Sequence, residues 1–171
     1  MNLRRWLLLG AVAVLLFGCK KKAAVVENFL NNPVDLARLS DLDAECTYTP
    51  GTPELVKKYA IIDGNTHSVD VSHQILPDAE KARSWSELKT LVLIQSTSEK
   101  VGVYKSSGLP ALRWTSHLSL IDVPSKTIVH KQDFLGAMPM LNRDLDSDSS
   151  SASGFMPTPA IEAFLKGLPR R

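Results

Sequence analysis

The residue pattern predicts an α+β fold: a mainly antiparallel β-sheet meander with a short N-terminal helix and a C-terminal amphipathic helix packed on it. Three observations lead there. Leu91, Val92, Leu93 and Ile94 are consecutive, as in a strand covered on both faces. Ala111 to Val123 alternates, meets Pro124-Ser125-Lys126 and resumes at Thr127 to Lys131, which reads as a β-hairpin. After Thr158-Pro159, the residues Ile161, Phe164, Leu165 and Leu168 recur at three- and four-residue spacing, giving a helix one apolar stripe.

The remaining elements follow in chain order. Asn32-Pro33 reads as a helix start, with Asn32 as N-cap and Pro33 at the first helical position. Val34, Leu36, Leu39 and Leu42 form its stripe. Thr49 to Pro53 is an irregular link on its Pro and Gly content. Lys57 to Ile62 is a strand closed by the turn residues Asp63-Gly64-Asn65, and Val69 with Val71 suggests a second. Ser84 or Ser86 is expected to cap a turn of helix from Trp85 to Leu88. Ser96 to Lys100 reads as a polar turn, Val101 to Lys105 as a return strand, and Phe134 to Pro139 as the exit from the sheet. Arg143 to Gly154, rich in Ser and Asp, is expected to be a mobile loop. Such an arrangement suggests a sheet covered on one face.

Composition bounds the rest. The 171 residues are 44% apolar and 22% charged, as in an ordinary globular chain. The 20 basic residues include Arg4 and Arg5, which belong to an export signal described next; without them 18 basic face 18 acidic side chains. A neutral domain has no general attraction for polyanions, so nucleic acid is not an expected partner.

Arg4 and Arg5 precede a 12-residue apolar run, Trp6 to Phe17, which Lys20, Lys21 and Lys22 end abruptly. As a helix that run spans about 18 Å, against the roughly 30 Å of a bilayer core. It therefore reads as a cleavable signal and not as a permanent span. Leu16-Phe17-Gly18-Cys19 resembles the lipobox of bacterial lipoproteins. The resemblance implies cleavage before Cys19 and acylation of that cysteine; two or three chains at about 0.8 kcal/mol per buried methylene anchor stably. Lys20 stands where an aspartate would mark inner-membrane retention in enteric-type bacteria. The expected location is therefore extracytoplasmic, on the periplasmic face of the outer membrane if the host has two membranes. The expected organisation is signal 1–18, lipidated tether 19–31 and one domain 32–171. Val101-Gly102-Val103-Tyr104, Leu120-Ile121-Asp122-Val123, Gly136, Pro139 and the terminal Pro-helix are also similar in layout to exported bacterial β-rich domains. That likeness spans roughly 57–168 and implies a fold without naming an activity.

Candidate chemistry is sparse. Asp63, His67, Asp70 and His73 carry donors close in sequence and are the weak candidates for a metal site; no cofactor is expected. Asp144, Asp146 and Asp148 have the spacing of a calcium loop, but Ser149 and Phe155 stand where an EF-hand needs Gly and Glu. No catalytic residue is assigned: Ser116 and His117 are neighbours in a strand and point to opposite faces, and Cys46 has no visible partner. Trp85, Trp114, Tyr48, Tyr59 and Tyr104 are candidates for a cell-wall sugar platform, with core packing as the plainer role. By elimination the chain reads as a lipid-anchored binding or accessory (adaptor) module meeting an envelope protein or the cell wall. A small extracytoplasmic hydrolase is the first alternative and a small-ligand or metal-binding lipoprotein the second. A polar pocket around the histidines would favour these alternatives, whereas an exposed apolar patch or open sheet edge would favour the adaptor.

Overall fold

The computed structural model describes residues 29–105, 107–140 and 152–171. The signal, Cys19 with the first part of the tether, and the Asp144, Asp146 and Asp148 run lie outside the described residues. The chain is α+β, with a mixed sheet and two α-helices. Helix α1 (Pro33–Ser40) begins as its sequence dictates: the Asn32 side chain accepts from Val34 N–H at 2.9 Å and Pro33 opens the first turn. Strands β1 (Thr47–Tyr48), β2 (Tyr59–Asp63), β3 (Ser68–Val69), β4 (Thr90–Val103), β5 (Pro110–Asp122), β6 (Thr127–Leu135) and β7 (Ala152–Ser153) precede helix α2 (Thr158–Gly167). Their order across the sheet is β1-β6-β5-β4-β2-β3, with β7 beside β5.

The antiparallel meander is confined to β4, β5 and β6. Strand β2 joins β4 in parallel, β1 joins β6 in parallel, and β7 joins β5 in parallel. The sheet is also covered on both faces, not one. Leu91 and Leu93 face Leu36, Leu39, Leu42, Ala60 and Ile62 on the α1 side. Val92 and Ile94 face Tyr59, Ile61, Leu118, Leu120 and the α2 residues Ile161 and Leu165 on the other. Four consecutive apolar residues therefore serve two cores, each side chain stabilising by roughly 1.5–3 kcal/mol when fully buried.

Strand β4 continues where a turn is expected. Ser96 to Lys100 extends the ladder, with Thr97 opposite Thr115, Ser98 opposite Trp114 and Glu99 opposite Arg113. Threonine pairs and opposite charges are favourable cross-strand partners, so a polar run suits a ribbon lying beyond the helical cover. The reversal comes later, where Gly108 N–H donates to the Tyr104 carbonyl at 2.8 Å and Gly108 adopts φ +70°. Strand β6 likewise runs on to Leu135, so Phe134 stays in the sheet and buries against α2. Trp85 to Leu88 is a turn and not helix, Val71 opens a 3₁₀ turn instead of extending β3, and Val34 is exposed. Helix α2 starts after Pro157 with no side-chain cap, so Thr158 does not cap it. Among the described residues no helix is long and apolar enough to cross a membrane.

At the outer end of the sheet the chain leaves β6 at Gly136 and returns as β7 alongside β5. Gly136 N–H donates to the Trp114 carbonyl at 2.8 Å, Ala137 N–H to Phe155 at 3.1 Å and Gly154 N–H to Leu112 at 2.9 Å. So Ala152 to Gly154, expected in the mobile loop, belongs instead to the sheet and this crossing. A Cβ on Gly136 would meet the Phe155 carbonyl, and one on Gly154 the Ala137 carbonyl, whereas Gly167 has open space. Gly154→Ala should cost about 1–3 kcal/mol, the range for forced overpacking. Gly167→Ala should be neutral or stabilising by up to about 1 kcal/mol. Urea unfolding of the two variants checks the contrast.

Candidate functional site

Beyond Ile94 the cover on the α1 side ends and that face of the β4–β5–β6 ribbon is open, while Ser116 and Phe134 stay buried on the other. Alternation along the strands places Thr97, His117 and Asp133 on one face, and the register sets His117 opposite Asp133 and next to the Thr97–Thr115 pair. Thr97 Oγ1 lies 3.1 Å from His117 Nε2, and His117 Nδ1 lies 2.8 Å from Asp133 Oδ1. The order hydroxyl, imidazole, carboxylate is that of a nucleophilic triad. Two features limit its chemistry. The His117 and Asp133 side chains are 43% and 67% exposed, so water screens the pair. Backbone N–H groups of a strand lie in the plane of the sheet, so those of β4 and β5 beside Thr97 are not aimed at an oxyanion above it. The relay is a polar recognition surface before it is a catalyst.

The β6–β7 crossing presents a different chemistry. Leu135, Met138, Met140, Phe155 and Met156 are all exposed, Phe155 at 80% and Met140 at 76%. Large apolar side chains gathered at one corner are unusual on a monomer surface and mark contact sites. Methionine adds a side chain flexible enough to fit an irregular partner. A second open feature is the outer edge of β4. The Asn65 side chain bonds both the N–H and the carbonyl of Ser96, at 2.5 and 2.9 Å, and so closes the edge where β2 ends. The Ser98 and Lys100 backbone groups, next on that side, have no strand partner among the described residues. Lys100 and the bulge between Lys100 and Gly102 blunt this edge against indiscriminate pairing.

The sequence-predicted donors do not assemble. Asp63 Oδ1 accepts from Asn65 and Thr66 N–H at 2.8 and 3.2 Å, and His67 occupies the same turn at φ +50°. Asp70 caps the 3₁₀ turn Val71–Ile75 through Ser72 N–H at 2.7 Å. His73 is buried, its Nδ1 accepting from Ile61 N–H at 3.3 Å. Turn and capping duties thus engage Asp63, Asp70 and His73, and no group of three or more His, Cys, Asp or Glu poised for a metal occurs among the described residues.

Ser116 is buried against Ser96, Oγ to Oγ 2.9 Å, on the face opposite His117. Burial pushes the Cys46 thiol up, the direction opposite to that of an activated, nucleophilic cysteine. The aromatic platform is dispersed as well. Tyr59 and Tyr104 are buried, and Trp85 is held by Asp35 at 2.8 Å, under the Arg38 guanidinium. Tyr59 bonds Glu80 at 3.3 Å, and its phenol is pushed up to about 12, first by burial and then by that carboxylate.

The apolar corner is the feature that sequence reasoning missed, although a signal was present. Every methionine after Met1 lies in Met138-Pro139-Met140 or Phe155-Met156, either side of the Ser/Asp run. The chain matches no protein-family model, no curated protein and no solved structure.

His73 generates a pH dependence. Desolvation, with Lys81 adding to it, lowers its pKa from 6.5 to about 4. The folded state thus favours neutral imidazole, while the unfolded chain binds a proton near 6.5. Stability from this residue is complete above about pH 6.5 and falls as pH drops toward 4, by on the order of 2 kcal/mol after allowing for residual solvent contact. Thermal unfolding across that window should show the decline, and His73→Asn, whose carbonyl oxygen can replace the Nδ1 acceptor, should flatten it.

Proposed function

We propose that the protein is a lipid-anchored adaptor of the bacterial cell envelope, held through acyl chains on Cys19 and engaging a protein partner through the apolar corner of its sheet. The observation that carries this reading is the exposed cluster of Leu135, Met138, Met140, Phe155 and Met156. The anchor rests on the lipobox resemblance and favours the periplasmic face of an outer membrane where the host has two.

Geometry supports a partner in the compartment over the lipid surface itself. Phe29, ten residues after Cys19, is buried and packs on Trp85 with ring centroids 5.8 Å apart, next to the start of β4. The apolar corner adjoins Trp114 and Thr115, opposite Ser98 and Thr97 of β4. Seven or eight strand residues, roughly 25 Å at about 3.3 Å each, separate the two ends. Phe29 thus enters the fold at the end of the sheet opposite the apolar corner.

The Thr97–His117–Asp133 relay favours the hydrolase as a second reading, weakened by its exposure and lack of oxyanion donors. Two predictions separate the possibilities. Cys19→Ala should move the protein from membranes to the soluble fraction and remove acyl mass from the mature N-terminus; persistence in membranes with an intact signal would refute the anchor. A photo-cross-linking residue at Phe155 should capture one envelope protein in living cells, and one at Val34, 75% exposed on α1, should not. Capture from Val34 alone, or no adduct from either together with ester hydrolysis lost in His117→Ala, would replace the adaptor with the alternatives.

A further inference from the structure

We infer that a cavity between residues 52–56 and the inner end of the sheet binds a small zwitterion, an α-amino acid of the size of alanine. The cavity has a volume of about 150 Å³, and main-chain pairing holds its walls. Leu55 N–H donates to the Pro169 carbonyl at 2.8 Å, Lys57 N–H to that of Arg171 at 2.7 Å, and Arg171 N–H to that of Leu55 at 3.1 Å. This parallel pairing sets Glu54 Oε1 3.1 Å from Arg171 Nη2. Thr90 Oγ1 lies 3.2 Å from both the nitrogen and the carbonyl oxygen of Val56, which ties the same residues to the start of β4. Thr90 and Asp122 are paired across β4 and β5, so their side chains share one face.

Three kinds of wall meet around this space. Asp122 supplies negative charge: one carboxylate oxygen accepts from the Ser125 hydroxyl, and the other has no hydrogen-bond or ion-pair partner among the described residues. That oxygen suits an ammonium group. Arg171 supplies positive charge, and among the described residues its guanidinium pairs with Glu54 alone, through one nitrogen. The donors left over on the planar fork suit a carboxylate. Val56 and Val129 supply apolar surface, and Thr52 adds a hydroxyl. Thr90 is buried whereas Thr52 and Arg171 are exposed, so the cavity runs from a closed floor to an open rim.

An ammonium, a carboxylate and a short alkyl group on one carbon make a small α-amino acid. A simple amine would leave the Arg171 donors unused, and a simple carboxylate would leave Asp122 unanswered; buried or half-buried polar groups without partners weaken binding. Size sets the upper limit. A cavity near this volume holds a molecule of roughly six non-hydrogen atoms, the size of benzene, which admits alanine and excludes an aromatic amino acid. The cavity lies at the end of the sheet where β4 begins, away from the apolar corner, and its occupancy does not depend on the adaptor reading.

The test titrates the full chain, purified in detergent, with alanine while amide signals are followed by NMR. The signals of Glu54, Val56, Thr90 and Val129 should shift together and saturate, and those of Thr97 and His117 should stay in place. Ethylamine and propionate, each lacking one charged group, should bind about tenfold or more weakly, the loss of one charge-assisted contact. Phenylalanine should not bind. Asp122→Asn, which keeps an oxygen for Ser125, and Arg171→Gln should each lower alanine affinity by about tenfold or more with an unchanged circular dichroism spectrum. The ligand series needs no variant, so it decides the matter even where a substitution disturbs folding. Absence of saturable binding would overturn the site, as would undiminished affinity in either folded variant, or ethylamine, propionate or phenylalanine binding as tightly as alanine.

Discussion

The structure depends on the burial of Leu91–Ile94 on both faces at once. Strand side chains alternate, so a run of four apolar residues commits two to each side and demands cover on both. Helix α1 and its flanking turns supply it on one face, helix α2 on the other. Strand β2 completes the enclosure by pairing with this half of β4 alone, from Tyr59–Thr90 to Asp63–Ile94. Everything beyond Ile94 is free of that demand, and there the sequence turns to Ser, Thr, Glu and Lys. One strand is thus divided into an enclosed half that holds the fold and an outer half that is exposed from Thr97 to Lys100.

The same division explains what was legible in the sequence. The Leu91–Ile94 run, the Asn32-Pro33 cap and the α2 stripe are local signals whose physics is complete within a few residues, and each appears in place. The outer ribbon was misread as a turn because polarity alone does not distinguish a loop from a strand whose faces are solvated; the cross-strand partners that stabilise Thr97 and Glu99 lie on β5, far along the chain. The parallel pairings of β1, β2 and β7 are equally non-local. Cover on both faces follows from the run itself once it is weighed above the helix count.

The candidate site divides along similar lines. Single residues were readable: Ser116 and His117 do point apart, as strand alternation requires. Constellations were not. His117 finds Thr97 and Asp133 only through the registers of three strands. The donors Asp63 and Asp70 are taken by turns that sequence spacing does not display. The apolar corner arises because two segments separated by the Ser/Asp run meet over two glycines. In return, the position of Phe29 at one end of the sheet and of Phe155 at the other relates the anchor inferred from sequence to the surface seen in the fold.

The most direct measurement of this division is amide hydrogen exchange along β4. The odd-numbered amides Leu91, Leu93, Thr97 and Glu99 all point toward β5, as the outward pairing of Ser96 with Asn65 requires, so they share one kind of hydrogen bond and differ in burial. Leu91 and Leu93 should exchange only through global unfolding, whereas Thr97 and Glu99 should exchange through local opening at clearly lower free energy. Equal protection at all four positions would contradict the account, because the outer ribbon would then belong to the same cooperative core.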